Sequence, residues 1–153
     1  MATEKKAPKV AAPKKEKELK YYEAVGRRKT AVARVRLHIA STATLKKGDV
    51  TVNSKPFTTY FAALGQQNVL LQPLNLVESV DRFGISIKVA GGGSQGQLEA
   101  VVLGIARALE KVDKGHRAIL KENGLLTRDA RERERRKVGT GGRARRQKQS
   151  PKR

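Results

Sequence analysis

The chain has 153 residues, with 34 Lys and Arg against 14 Asp and Glu and a formal net charge of +20, so it has room for one ordinary domain and would repel itself strongly without a polyanion nearby. It contains no cysteine and only two histidines, His38 and His116, which excludes a disulfide framework and a thiolate zinc site and gives metal or general-base chemistry a weak basis. No apolar run approaches the roughly 18 residues that span a bilayer, and no amphipathic basic helix marks either end, so the expected partner is a nucleic acid and not a membrane.

The charge is concentrated at the ends. Residues 1–20 hold seven Lys and three Glu, and the stretch is Lys, Ala, Pro and Glu with one Leu and one Val. That is too little apolar surface to offset the entropy of ordering it, so a disordered basic arm is expected. It has no apolar signal core, and Glu4, Glu16 and Glu18 with no Arg or Ser disfavour an organellar transit peptide. A soluble, cytoplasmic protein is the expectation.

Residues 21–126 read as one α+β domain. Tyr21 to Val25 suggests a strand, and Gly26-Arg27-Arg28-Lys29-Thr30 a loop holding three cations and a hydroxyl. From Ala31 to Ile39 the alternation is strict: Ala31, Ala33, Val35, Leu37 and Ile39 on one face, Arg34, Arg36 and His38 on the other. One face meets the core and the other presents cations, making this loop and strand an RNA-contacting edge. Gly48-Asp49 predicts a turn, Val50 and Val52 a short strand after it. A helix is expected after Pro56, with Phe57, Tyr60, Phe61 and Leu64 on one core-facing side. Phe83, Ile85, Ile87 and Val89 alternate with Gly84, Ser86 and Lys88 as a further strand.

Gly91-Gly92-Gly93-Ser94-Gln95-Gly96 contains Gly-x-Gly-x-x-Gly between that strand and a helix, the local pattern of a dinucleotide site. The unit is incomplete: no second strand carrying an acid follows about 20 residues on, and Lys114 to Leu126 has no strand-like apolar run. No Gly-Lys-Ser/Thr ending makes a phosphate loop either. What remains is close backbone approach or an RNA phosphate at Gly91, Gly92, Gly93, Ser94 and Gln95, where backbone N–H groups gather at a helix start. The helix itself is expected from Ser94, with a Ser94–Gln97 capping pair and Leu98, Val101, Val102, Ile105, Leu109 and Val112 at three- and four-residue steps.

Residues 127–153 form a basic C-terminal tail with twelve Lys and Arg and three acids. Arg128, Arg131, Arg133, Arg135, Arg136 and Lys137 are read as RNA contacts. The alternative is a short solvated helix in which Asp129 pairs with Arg133 and Glu132 with Arg136 at i,i+4. Beyond Lys137 there are no acids and no Leu, Ile or Phe. Arg143, Arg145, Arg146, Lys148, Lys152 and Arg153 should therefore order only against phosphates.

The ordered series Tyr21-Tyr22, Gly26-Arg27-Arg28-Lys29-Thr30-Ala31, Val52-Asn53, Tyr60-Phe61, Gln72-Pro73-Leu74, Gly91 to Gln97, Gly104 to Leu109 and Leu126 to Lys137 resembles the ninth small-subunit ribosomal protein family, bacterial type, from about Tyr21 to Arg153. The resemblance implies an α+β fold like the second domain of the fifth small-subunit protein: a mixed sheet with helices on one face, in the head of the small subunit. It implies small-subunit ribosomal RNA and neighbouring small-subunit ribosomal proteins as partners; with two isolated histidines and an incomplete glycine motif, no enzymatic activity, no cofactor and no metal are expected. It also implies that Lys152 and Arg153 reach the peptidyl-site transfer RNA. The chain departs from the family at its end, where Pro151 separates Ser150 from Lys152 with no aromatic before it, and at the glycine-rich Gly139 to Gly142. A same-fold RNA chaperone or ribonuclease P-type protein is the alternative function.

Overall fold

A computed structural model describes residues 21–39 and 45–135 of the chain. The expected arm over residues 1–20 and the tail beyond residue 135 lie outside the described residues. The elements run β1 (Tyr21–Arg28), β2 (Ala31–His38), β3 (Val50–Val52), β4 (Lys55–Pro56), α1 (Phe57–Tyr60), α2 (Leu64–Leu76), β5 (Gly84–Ala90), α3 (Ser94–Val112) and α4 (His116–Glu122). The five strands form one sheet in the order β1-β2-β5-β3-β4. It is mixed: β1 with β2 and β2 with β5 are antiparallel, while β3 lies parallel to β5. The α+β expectation is met.

Alternation in the strands sorts the two faces. Ala31, Ala33, Val35 and Leu37 of β2 and Ile85, Ile87 and Val89 of β5 are buried in one cluster with Leu70 and Leu74 of α2, Leu98, Val101, Ile105 and Leu109 of α3 and Leu120 of α4. The helices thus cover one face, and a single core explains why one stripe of α3 is apolar. Strand β1 lies so close to α3 that a Cβ on Gly26 would fall 1.8 Å from the Ala100 carbonyl oxygen and 2.6 Å from the Gly104 nitrogen. The glycines of the two elements meet there because only bare backbone fits.

Four local expectations are corrected. Gly26-Arg27-Arg28 is the end of strand β1, not loop; only Lys29 and Thr30 form the turn, with Arg28 paired to Ala31. Ile39 falls past the end of β2 and is 43% exposed. The helix after Pro56 is one turn, interrupted at Phe61; Leu64 opens a separate helix and is 75% exposed. Ser94 does not cap α3, whose N-cap is Gly93 without a side-chain bond. Gln97 instead donates to the Gly91 carbonyl (3.0 Å) and accepts from the Tyr60 hydroxyl (2.8 Å), tying α1 to the glycine loop. The alternative reading of a short solvated helix is not met within residues 127–135, which contain no helix.

The chain after α3 enters α4 and not a strand, so the dinucleotide unit is incomplete in the structure as in the sequence. Beyond Val52 the Asn53 side chain prolongs the β3–β5 pairing. Its Nδ2 donates to the Val89 carbonyl (3.1 Å) and its Oδ1 accepts from the Val89 N–H (2.9 Å).

Candidate nucleic-acid interface

The face of the sheet opposite the helices is cationic because period two leaves it to the polar positions. Strand β2 contributes Arg34, Arg36 and His38, and β5 contributes Ser86 and Lys88. Register places Arg34 opposite Lys88, Arg36 opposite Ser86, and Ser86 opposite Thr51. A groove of about 380 Å³ is lined there by Arg34, Arg36, Thr51, Ser54, Ser86 and Lys88, with Leu45 and Ile87. Among the described residues three cations and three hydroxyls line it, and no carboxylate does. Arg36 Nε donates to Glu23 Oε2 at 2.7 Å, and its guanidinium lies 4.7 Å from the centre of the Tyr21 ring, which fixes its aim. Arg34 and Lys88 have no acidic partner among the described residues.

His38 closes one end of this face. Its Nε2 is 3.0 Å from Ser86 Oγ, and its Nδ1 is buried without a partner among the described residues. Burial, followed by the charge of Arg36, holds its pKa below the ordinary histidine value of 6.5. Both effects disfavour the imidazolium.

At the β1–β2 turn, Arg27, Lys29 and Thr30 are exposed. The glycine loop packs against this turn. Gly91 has φ +73°, and a Cβ on it would lie 2.5 Å from the Thr30 carbonyl oxygen. Gly91, Gly92, Gly93, Ser94 and Gln95 are exposed beside the turn. The structure therefore joins two stretches about 60 residues apart into one edge, with two exposed cations that have no acidic partner among the described residues and the start of α3.

Arg28 is the exception among the sequence-selected cations, since its side chain is only 11% exposed and turns toward α3. Its Nε bonds Glu99 Oε2, its Nη2 meets Asp129 Oδ2 at 3.0 Å, and its Nη1 donates to the Arg131 carbonyl at 2.6 Å. Burial pushes the Glu99 carboxyl up, but hydrogen bonds from Arg28 and Gln95 outweigh it and hold that group below the usual range. Asp129 accepts from the side chain of Arg131 and from its backbone N–H (2.9 Å), and these bonds, with Arg28 adding to them, hold its carboxyl far below the usual carboxylate range. The i,i+4 pairing of Asp129 with Arg133 is thus replaced by bonds to Arg131 and Arg28. Arg128, Arg131, Arg133 and Arg135 are exposed. Arg136, Lys137, Arg143, Arg145, Arg146, Lys148, Lys152 and Arg153 lie outside the described residues.

Sequence reasoning passed over Lys88, Thr51, Ser54 and Ser86 as site residues. The alternation around Lys88 was a usable signal, because it puts the amine on the face away from Ile87 and Val89. Among the described residues no cluster of three or more His, Asp or Glu could hold a metal ion, and no helix is long and apolar enough to cross a membrane.

An α+β domain whose second sheet face is lined by cations and covered by no helix among the described residues, with a basic hairpin edge, has the features of a polyanion-binding protein. Residues 26–153 match the family described as ribosomal protein S9/S16. The chain is 47% identical over 119 residues to the small ribosomal subunit protein uS9 of Maridesulfovibrio salexigens, covering 78% of this chain and 87% of that one. It is 46% identical over 119 residues to uS9 of Dehalococcoides mccartyi, covering 78% and 86% of the two chains. Against uS9 of Flavobacterium psychrophilum it is 47% identical over 115 residues, covering 75% and 85%. The chain belongs to the ribosomal protein S9/S16 family.

Proposed function

We propose that this chain is a structural component of the small ribosomal subunit that seats on small-subunit ribosomal RNA in the subunit head, beside neighbouring small-subunit ribosomal proteins, and serves translation without catalysing a reaction. Its folded contact surface is the open sheet face with Arg34, Arg36 and Lys88, continued by Arg27, Lys29 and Thr30 and by Gly91 to Gln95. Arg128, Arg131, Arg133 and Arg135 carry the surface toward the C-terminal residues, where Lys152 and Arg153 reach the peptidyl-site transfer RNA. The observation that carries this reading is the facing pair Arg34 and Lys88 over a groove that no acid lines among the described residues. Two cations held side by side repel, and a phosphate between them relieves the repulsion.

The test is sedimentation of a cell lysate at raised salt, with the chain followed by antibody. Migration with small subunits is expected. Recovery as free protein, or with a lone processing RNA, would instead favour an RNA chaperone or a ribonuclease P-type protein.

A further inference from the structure

Arg28 stands in a run of cations and has the composition of a phosphate contact, yet its guanidinium is spent inside the protein. Its three nitrogens are engaged by a carboxylate of α3, a carboxylate of the C-terminal segment and a main-chain carbonyl two residues further on. These partners lie 71 and 103 residues away in sequence for Glu99 and Arg131. An isolated exposed ion pair holds little, but a forked guanidinium that is 11% exposed and shared between two carboxylates and a carbonyl fixes geometry as well as charge. Asp129 is fixed in turn, because Arg131 donates to it from its backbone N–H and from Nη2 at 2.7 Å.

We infer that Arg28 is a positioning residue: it buckles Asp129 and Arg131 to the end of β1 and so sets the point and direction from which the basic C-terminal residues leave the domain. The inference rests on the proposed RNA-binding role. The buckle holds Asp129 and the Arg131 main chain against Arg28, and Asp129 lines one pocket with Arg27, so the chain that runs on to the exposed Arg133 and Arg135 starts from the hairpin end of β1. A segment already held there loses less freedom on binding than one that must be gathered from solution. Arg28 therefore strengthens RNA binding without touching RNA, and its two acids, Glu99 and Asp129, belong to the binding apparatus although they repel phosphate.

That sign difference supplies the test, made on the full chain with a fragment of small-subunit ribosomal RNA. Asp129→Asn removes a negative charge, so simple electrostatics makes it bind more tightly; the buckle makes it bind several-fold more weakly. Arg28→Lys keeps the charge but cannot fork, and it too should bind several-fold more weakly with an unchanged salt slope, because no phosphate contact is lost. Arg27→Ala should reduce the slope. With no native cysteine, spin labels at Lys121→Cys and Arg133→Cys report the segment directly: one narrow distance is expected in the parent, and a broad distribution with Asp129→Asn. Unchanged or tighter RNA binding by Asp129→Asn, wild-type affinity in Arg28→Lys, or an unchanged label distribution would overturn the inference. If Asp129→Asn fails to fold, Arg28→Lys decides alone. Failure of the parent chain to bind the RNA would overturn the proposed function, while the label distances still judge the buckle.

Discussion

Arg34 of β2 and Lys88 of β5 face each other directly across the sheet on the side away from the helices, two cations in register with no acid between them among the described residues. Like charges in that relation destabilise a sheet, and cross-strand pairs act at about 0.2–1 kcal/mol. Lys88→Thr, which also suits a strand better, should raise the stability of the free domain by a few tenths of a kcal/mol while weakening RNA binding. Urea unfolding and RNA titration of the same preparation measure the two effects. The gain in stability should shrink as salt screens the repulsion. A destabilised Lys88→Thr would mean that the amine has a favourable partner in the free protein.

Gly26 and Gly104 let β1 and α3 touch backbone to backbone, so Gly26→Ala should be among the most damaging single changes in the domain. The added methyl meets main-chain atoms that cannot swing aside. Overpacking of this kind costs about 1–3 kcal/mol or more, which lowers the thermal midpoint by at least roughly 4 °C. Calorimetry of the purified variant checks this, and a midpoint within a degree or two of the parent would contradict the close packing.

His38 gives the open face a pH signature. Its folded pKa is depressed below 6.5 by burial and then by Arg36. A depressed histidine contributes stability that is fully present above the unfolded pKa and is lost as pH falls through the folded value, because only the unfolded ring takes up the proton readily. Phosphates bound beside Arg34 and Arg36 oppose the charge of Arg36, so RNA binding should raise the His38 pKa and draw in a proton. The His38 imidazole resonances followed from pH 4.5 to 8 should titrate below pH 6.5 in the free protein and at higher pH in the complex. An identical midpoint in both states would place the phosphates elsewhere.

Deletion of Lys152 and Arg153 should leave the domain fold and its incorporation into subunits intact. The sixteen residues after Lys137 can reach on the order of 50 Å when extended, enough for the last two cations to meet a distant RNA. Peptidyl-site transfer RNA binding by the purified subunits should fall several-fold at fixed salt and magnesium. Unchanged affinity with normal assembly would mean that Pro151 has turned this ending to another use.

The faces of the sheet were legible in the sequence because period two is local: Val35 and Leu37 had to point one way and Arg34 and Arg36 the other. Which strands lie side by side was not, since neighbours in the order β1-β2-β5-β3-β4 are chosen by contacts between distant segments. Lys88 therefore could not be placed against Arg34. The helix Leu64–Leu76 was hidden by its own residues, with Gln66, Gln67, Asn68 and Asn75 breaking the apolar period and Pro73 inside it. It buries only Leu70, Pro73 and Leu74. Around Asp129 the i,i+4 spacing suggested a helix, but Arg28, about 100 residues away, offered a better partner. Tertiary contact overrode local propensity there, and the Arg28 guanidinium is engaged by Glu99, Asp129 and the Arg131 carbonyl.

The central claim is that the uncovered face of the sheet is where RNA phosphates lie, and the salt dependence of binding tests it most directly. The affinity of the full chain for a head-domain fragment of small-subunit ribosomal RNA is measured from low to moderate salt, alongside Arg34→Ser/Lys88→Ser. The double variant should bind more weakly, and the slope of log affinity against log salt should fall by up to about one for each phosphate contact removed. Weaker affinity at low salt with a slope reduced by between one and two is the predicted result. An unchanged affinity and slope in a variant that still folds would contradict the account, leaving the open face as solvent-exposed surface and the RNA interface elsewhere on the chain.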